Sequence, residues 1–599
     1  MAQTDGAVSS DGHRGLGAPP PARRSGRILG IDRENITVFN AVSLLVALVL
    51  AFLALYPLTR VLLRLFFNNG KFDTAALSAV VDQNGMLLLL ANTVAVVAAS
   101  GVISIIIGSI MAWLNERTDA RMGILTDALP MVPFLVPPIA GAIGWVLLLS
   151  DRAGLLNAVF RWMLSGIGIE ITEGPLNIYS WPGLVFVYVI YSVPYVYMMM
   201  SAGLRNVDSA MEEQSRVCGS GLFRTMRLVT IPAVRPSMGA SVLLLVWFGF
   251  ALYSVPAIIG KGADIEVLAV RLVNLLSFTY PPETAKAIGL SLIVVLAVGS
   301  AYVVQLRILR KGRHATVGGK GHKSHRMELG RWRWVGRAFM IGYIVIAAVL
   351  PLIGLVLVAL NGYWTPRIRW AKLNFGSFRE ILFEDGLTVA ALKNSITLGI
   401  LGATIGIVCA AILALFVQRS GKGVAQWIDA TIKLPASIST IVLAVGFVLA
   451  FSGPPFNLNG TYLILLLAYL ALYMPQASVA ADAAASQVGR ELTEASRISG
   501  AGGGRTFWKV SMPLMIAGLA AGWALLFVRM IGDLTASAIL AGTNNPVVGF
   551  RILEVYQGAS FASLAALSTV LTVVSAVVIV LLLLFTRKRQ RAAPKVQLG

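Results

Sequence analysis

Twelve long apolar runs, with almost every charge confined to the stretches between them, decide what this chain can fold into. They lie near 39–60, 85–112, 128–149, 181–203, 237–259 and 284–306, and again near 338–361, 391–416, 433–452, 461–482, 514–541 and 561–586. A helix needs about 20 apolar residues to cross a hydrocarbon core about 30 Å thick. Of the 599 residues only 13% are charged, about half the share in a soluble globular chain. The expected fold is therefore an all-α integral membrane protein of about twelve transmembrane helices.

The net charge of +21 does not point to nucleic acid, because the basic residues sit beside the ends of the apolar runs. An excess of Lys and Arg there is the usual mark of cytoplasmic loops. An even number of spans puts both termini on one side. RKRQR (Arg587 to Arg591) and the N-terminal arginines mark that side as cytoplasmic. The stretch 307–337 holds ten Lys and Arg residues against Glu328 alone, so it too is expected inside. It contains His314, His322 and His325, without a carboxylate or cysteine beside them. That composition reads as a basic linker rather than a metal site. Cys218 and Cys409 form neither a disulfide framework nor a CxxC pair. The polar, Gly/Pro/Arg-containing residues 1–38 read as a disordered cytoplasmic tail rather than a signal peptide.

The second set of runs repeats the first. Asn92-Thr93 and Asn394-Ser395 each open a long apolar stretch 302 positions apart (394 − 92), and Arg117 and Arg419 close it. Pro133 and Pro435, then Gly144 and Gly446, keep that offset. From Pro194 and Pro475 onward it becomes 281 (475 − 194), which places 21 extra residues (302 − 281) in the outer loop at 150–180 of the first half. The expected organisation is a tail (1–38), a first half (39–306, core 85–306), a basic linker (307–337), a second half (338–586, core 391–586) and a second tail (587–599). Six spans each leave the halves parallel and related by a pseudo-two-fold.

The clearest repetition is polar. EQSRVCGSGLFRTMRLVTIP (213–232) aligns without a gap on EASRISGAGGGRTFWKVSMP (494–513), with nine of twenty positions identical. Each copy falls on the cytoplasmic side between the fourth and fifth spans of its half. It reads as a short helix, a glycine bend, a second short helix, and a proline in the first turn of the next span. Positive-inside arginines alone do not account for acids, glycines and prolines kept at equal spacing. Two such knobs about a pseudo-two-fold suit docking to a symmetric pair of subunits.

Glu-x-x, three residues, Gly, nine residues, then apolar-x-apolar-Pro resembles the EAA loop of ABC importer permeases. It is read here as Glu213-Gln214-Ser215, Gly219, Val229, Ile231 and Pro232, and again as Glu494-Ala495-Ser496, Gly500, Val510, Met512 and Pro513. Gln214, Ser215 and Ser496 depart from the alanines the family favours. The resemblance covers about 85–590. It implies a permease of the bacterial inner membrane whose loops seat in a cytoplasmic ATPase, with Glu213, Ser215, Arg216, Gly219, Pro232, Glu494, Ser496, Arg497, Gly500 and Pro513 as the coupling residues. It also implies two copies of that ATPase, an extracytoplasmic solute-binding protein, and ATP used by the partner, with no cofactor or metal in this chain. Both halves on one chain, with GDLTASAILAG (Gly532 to Gly542) and the Asn-Thr/Ser pairs, is similar to the ferric-iron group. Thiamine permeases share the fused form, so thiamine or another small solute is the alternative cargo.

Nothing in the sequence carries catalysis. The nearest approach to a phosphate loop, GGKGHKS (318–324), has His322 where the second glycine belongs. Charges inside spans are costly, about 2.5–3.5 kcal/mol each at the bilayer centre. Arg529 and Asp533 are therefore candidates for a translocation path, spaced to pair with each other on one helix, and Pro256, Gly249, Ser254 and Gly532 are candidates for a constriction. A twelve-span secondary transporter is the competing class, but it calls for embedded acids or histidines beyond Asp533.

Overall fold

The computed structural model of the chain describes residues 27–28, 31–32, 38–68, 71–73, 78, 85–123, 132–207, 209–311, 326–420, 422–486, 488, 494–496 and 498–592. Arg497, the three linker histidines, and most of both expected tails lie outside the described residues. The first half comprises α1 (Val38–Phe66), α2 (Met86–Arg117), α3 (Pro138–Leu149), α4 (Leu155–Ser165), α5 (Trp181–Asn206), α6 (Ser209–Val217), α7 (Leu222–Ala251), α8 (Leu268–Phe278) and α9 (Thr284–Lys311). The second comprises α10 (Trp332–Asn361), α11 (Gly386–Arg419), α12 (Lys422–Lys433), α13 (Thr440–Phe451), α14 (Tyr462–Ala485), α15 (Gly504–Ile531), α16 (Val548–Gln557) and α17 (Phe561–Ala592).

Ten of these helices are long and apolar enough to cross a membrane. The other two of the twelve runs form shorter apolar helices, and the second of them makes a broken span with the helix before it, bent by 101°. They give α3 and α13, each 12 residues, or about 18 Å at 1.5 Å per residue. The two occupy equivalent positions, 302 apart at both ends. Proline sets the break. Pro137-Pro138 holds α3 to a start at Pro138, because the residue before a proline avoids the helical region. Pro435 lies in a short 3-10 turn, Leu434–Ser437, ahead of α13.

The same pairs pack in both halves: α2 with α5 and α7, α5 with α7, and α7 with α9; then α11 with α14 and α15, α14 with α15, and α15 with α17. The lead helices are exchanged. α1 packs on α13 of the second half, and α10 packs on α3 of the first as well as on α17 of its own. The glycines found by the repeat lie at these crossings. A Cβ on Gly144 would fall 2.6 Å from the Pro351 carbonyl oxygen, and one on Gly446 would fall 2.9 Å from that of Pro57. Only hydrogen on Cα lets the backbones approach so closely. The exchanged segments also cap equivalent carbonyls, with Trp364 Nε1 donating to Leu147 O (3.4 Å) and Arg60 Nε to Leu449 O (3.4 Å).

Asn92-Thr93 and Asn394-Ser395 do not open their helices, which begin earlier at Met86 and Gly386. They lie inside and hold the starts of α8 and α16. Asn92 Nδ2 donates to Glu266 O (3.2 Å), and Leu268 N donates to Thr93 Oγ1 (2.9 Å). In the second half Asn394 Nδ2 donates to Pro546 O (2.9 Å), and Val548 N donates to Ser395 Oγ (2.8 Å). A helix start buried among apolar spans needs such partners, since no water reaches its orphan N–H groups.

The 21-residue insertion forms α4. Its inner face is pinned by buried Asn157, whose Nδ2 donates to Leu149, Ser150 and Leu176 carbonyls at 2.6–3.1 Å. Its outer face shows Val159, Trp162 and Met163. The far end of the linker docks on the foot of α2, where Met327 N donates to Arg117 O (2.9 Å) and Leu329 N to Asp119 Oδ1 (3.0 Å).

Candidate functional site: paired loops and a central cavity

The two repeated loops fold alike. In the first, α6 ends on Gly219 at φ +82°, and in the second, Gly500 stands at φ +79°. A residue with Cβ is strained there, so glycine is a backbone requirement. In the first copy Ser220 N donates to Ser215 O (3.1 Å) and Gly219 N to Arg216 O (2.9 Å), the paired bonds of a Schellman helix end. Ala501 N donates to Ser496 O (3.1 Å) in the second. Ser215 and Ser496, where alanine was the family preference, face Thr225 and Thr506 across the bend. Their hydroxyl oxygens are 3.1 and 3.0 Å apart respectively, and both threonines are buried. These matched bonds staple each short helix to the span that follows.

The second arm of each loop is not a separate short helix. It is the first turns of α7 and α15, so Pro232 and Pro513 lie inside long helices rather than in a first turn. A π-turn precedes each proline, Met226–Thr230 and Phe507–Ser511. Its wider ring accommodates the missing proline N–H that an α-helical ladder would leave unmatched.

Glu213, Arg216 and Glu494 are exposed, and so available to a partner. The acid that anchors the first loop to the membrane domain is the neighbouring Glu212. It accepts from Thr230 Oγ1 (2.7 Å), and its other oxygen lies 3.6 Å from Arg117 Nε. Arg117, 5% exposed at its side chain, also donates to the Leu204 and Val207 carbonyls (2.8 and 2.7 Å). Glu212 is matched by threonine in the second copy, so the repeat gave no signal for it.

A cavity of about 100 Å³ lies between the halves. Its wall is built from equivalent positions: Tyr191 and Leu472, Tyr195 and Gln476, Phe248 and Arg529, Ala251 and Gly532, Leu252 and Asp533, Ser254 and Thr535. Each pair is 281 apart, so the cavity sits on the pseudo-two-fold, with its charges contributed by the second half. Arg529 and Asp533 both line it. Gly532 ends α15 between them, so their spacing is not the helical one expected. Arg529 donates across the interface to the Tyr195 hydroxyl. Asp533 accepts from Tyr473 Oη (2.8 Å) and from the N–H groups of Ala536 and Ser537 (2.9 and 3.1 Å), capping the turn that follows. Ser254 and Gly532 line the cavity. Pro256 is buried in the turn Pro256–Gly260, outside the cavity wall. Gly249 packs against Val97 instead. Trp247 Nε1 to Ile438 O (3.0 Å) and Tyr556 Oη to Ile258 O (3.1 Å) tie the halves together nearby.

A duplicated helical bundle with a cavity on its pseudo-axis is the architecture of a multi-pass membrane permease. The chain belongs to the family of binding-protein-dependent transport system inner membrane components, whose model matches residues 104–311 and again 402–592. It is 20% identical over 533 residues to the ferric transport system permease protein FbpB of Actinobacillus pleuropneumoniae, covering 88% of this chain and 75% of that one. It is 22% identical over 497 residues to the Fe(3+)-transport system permease protein FbpB 2 of Haemophilus influenzae, covering 81% and 87%. A shorter match, 23% identical, joins 37% of this chain to 83% of the putative 2-aminoethylphosphonate transport system permease protein PhnV of Salmonella typhimurium. Among solved structures, a bacterial ABC transporter that imports alginate aligns 43% of this chain with 98% of its own, at 18% identity and a TM-score of 0.34. The chain is thus an ABC importer permease of the inner membrane, in the fused two-domain form, and permeases of this family are not themselves enzymes.

Proposed function

We propose that the chain forms the translocation path of an ATP-driven importer and that its two repeated loops each seat one copy of a cytoplasmic ATPase. The observation that carries this reading is the pair of loops, alike in backbone bend, Ser–Thr staple and exposed glutamate. Closure of an ATPase dimer would draw the loops together and rock the halves about the central cavity, where Arg529 and Asp533 face the solute. ATP is bound and hydrolysed on the partner, and a solute-binding protein delivers cargo at the outer face. Both termini and the linker are cytoplasmic on this reading. Ferric iron is the proposed cargo, supported by ferric permeases among the relatives that span most of this chain.

The test is a Gly219→Val, Gly500→Val double variant in proteoliposomes holding the ATPase encoded beside the permease. Both positions are open, with no atom of the described residues within 4 Å of an added Cβ, so the damage falls on the bend itself. Stimulated ATPase activity and ⁵⁵Fe uptake are expected to vanish while the protein stays membrane-inserted. Undiminished uptake, or uptake in wild-type vesicles that follows an ion gradient instead of internal ATP, defeats the reading.

A further inference from the structure

The two loops share a backbone but not a surface. Val217 and Ile498, at equivalent positions at the ends of the short helices, are each 88% exposed, so both loops offer a β-branched apolar side chain at the same place. Just past the glycine bend the copies diverge. The first presents Leu222 and Phe223, the latter 75% exposed. The second has Gly503 and Gly504 at those positions. Gly504 lies at a helix start, without the positive φ that glycine uniquely tolerates, and an added Cβ there would meet no atom of the described residues within 4 Å. Glycine is a poorer helix former than alanine, and no described residue stands where its Cβ would go. The second loop thus offers bare backbone where the first offers an aromatic side chain.

Resting on the docking role proposed above, we infer that the two knobs grip their ATPase subunits in different ways. The first inserts Phe223, flanked by Val217 and Leu222, into an apolar pocket of its subunit. The second sets Ile498 into the same groove and lays the bare backbone at Gly504 flush against the subunit surface. Arg216, Arg224 and Arg227 around the first knob, and Arg505 and Lys509 around the second, are exposed. The partner surface accordingly has an apolar floor and an acidic rim. A buried aromatic anchor ringed by polar contacts is the usual form of a strong binding centre, so the first knob holds its subunit more tightly.

The experiment uses full-length permease in lipid nanodiscs and the purified ATPase subunit encoded beside it, with occupancy counted by native mass spectrometry across a concentration series. Phe223→Ala is expected to weaken the tighter of the two binding steps at least tenfold. Gly504→Phe, which copies the first knob onto the second, is expected to weaken the looser step at least tenfold, while Gly504→Ala does so less. Among the described residues nothing lies within 4 Å of a Cβ added at Gly504, and monodispersity of Gly504→Phe in detergent serves as the folding control. A change under twofold with Phe223→Ala, or unchanged or tighter binding with Gly504→Phe, overturns the unequal grip. Wild-type permease that binds no ATPase at all would instead remove the docking role on which this inference rests.

Discussion

Replacing Gly144 by alanine tests whether the exchanged lead helices hold the two halves together. The added methyl would lie 2.6 Å from Pro351 O, 2.7 Å from its Cβ and 2.9 Å from its Cα. Ordinary contact needs about 3.5 Å or more, and two of the three obstructing atoms are backbone, so α10 must move outward by close to 1 Å. At Gly446 the nearest atoms stand at 2.9–3.0 Å, and about 0.5 Å suffices. Overpacking of this kind costs about 1–3 kcal/mol, while Gly→Ala returns about 1 kcal/mol of helix propensity. The expected net loss is about 1–2 kcal/mol at Gly144 and under about 1 kcal/mol at Gly446. Gly299 and Gly342 are helical glycines with nothing within 4 Å; alanine there is expected to be neutral or slightly stabilising. Differential scanning fluorimetry of the four variants in detergent should rank Gly144→Ala lowest, Gly446→Ala next, and the two controls at or above wild type. A Gly144→Ala protein as stable as the Gly342→Ala control would refute the packing argument.

Two further outcomes follow from single sites. Asp385 caps α11 through Leu387 N (3.1 Å) and Thr388 N (3.3 Å), and pairs with Arg551 at 2.8 Å; Asp385→Ala is expected to cost about 1–2 kcal/mol. Partial burial pushes its carboxyl upward, but the bonds from Thr388 and Arg551 outweigh this and hold it below the usual range. Its stabilisation is therefore present above the ordinary aspartate pKa and lost as pH falls through the lower folded value, so the wild-type advantage over Asp385→Asn in thermal melts should shrink on acidification. Asn92→Ala and Asn394→Ala each leave a backbone carbonyl without its side-chain donor at the start of α8 or α16. Each is expected to cost about 1–3 kcal/mol and to speed deuterium exchange at those helix starts, with the rest of the molecule unaffected.

The sequence was informative where the physics is local or repeated. Apolar length gave the ten full spans, and the positive φ at Gly219 and Gly500 could be anticipated from glycine at the same place in two polar copies. It was silent on partner choice. Nothing in α1 or α10 distinguishes packing on its own half from packing on the other, because any apolar helix face suits another. An apolar run also reads the same whether it makes one straight helix or a 12-residue piece beside a break, so the shortness of α3 and α13 leaves no mark in hydropathy. Asn92-Thr93 stood out as a repeat, but its partners lie 174 and 175 positions away, beyond any local pattern. Glu212 carries no repeat signal beside Glu213, because the second copy has threonine at its position.

The central claim is that one chain offers two ATPase seats through loops built alike. Native mass spectrometry of the nanodisc complex, with nucleotide-free, monomeric ATPase subunits added in excess, measures this directly. One permease with two ATPase subunits is expected for the wild type, a single subunit for Gly219→Val or Gly500→Val alone, and none for the pair. A wild-type complex with one ATPase, or a double variant that keeps both, would contradict it.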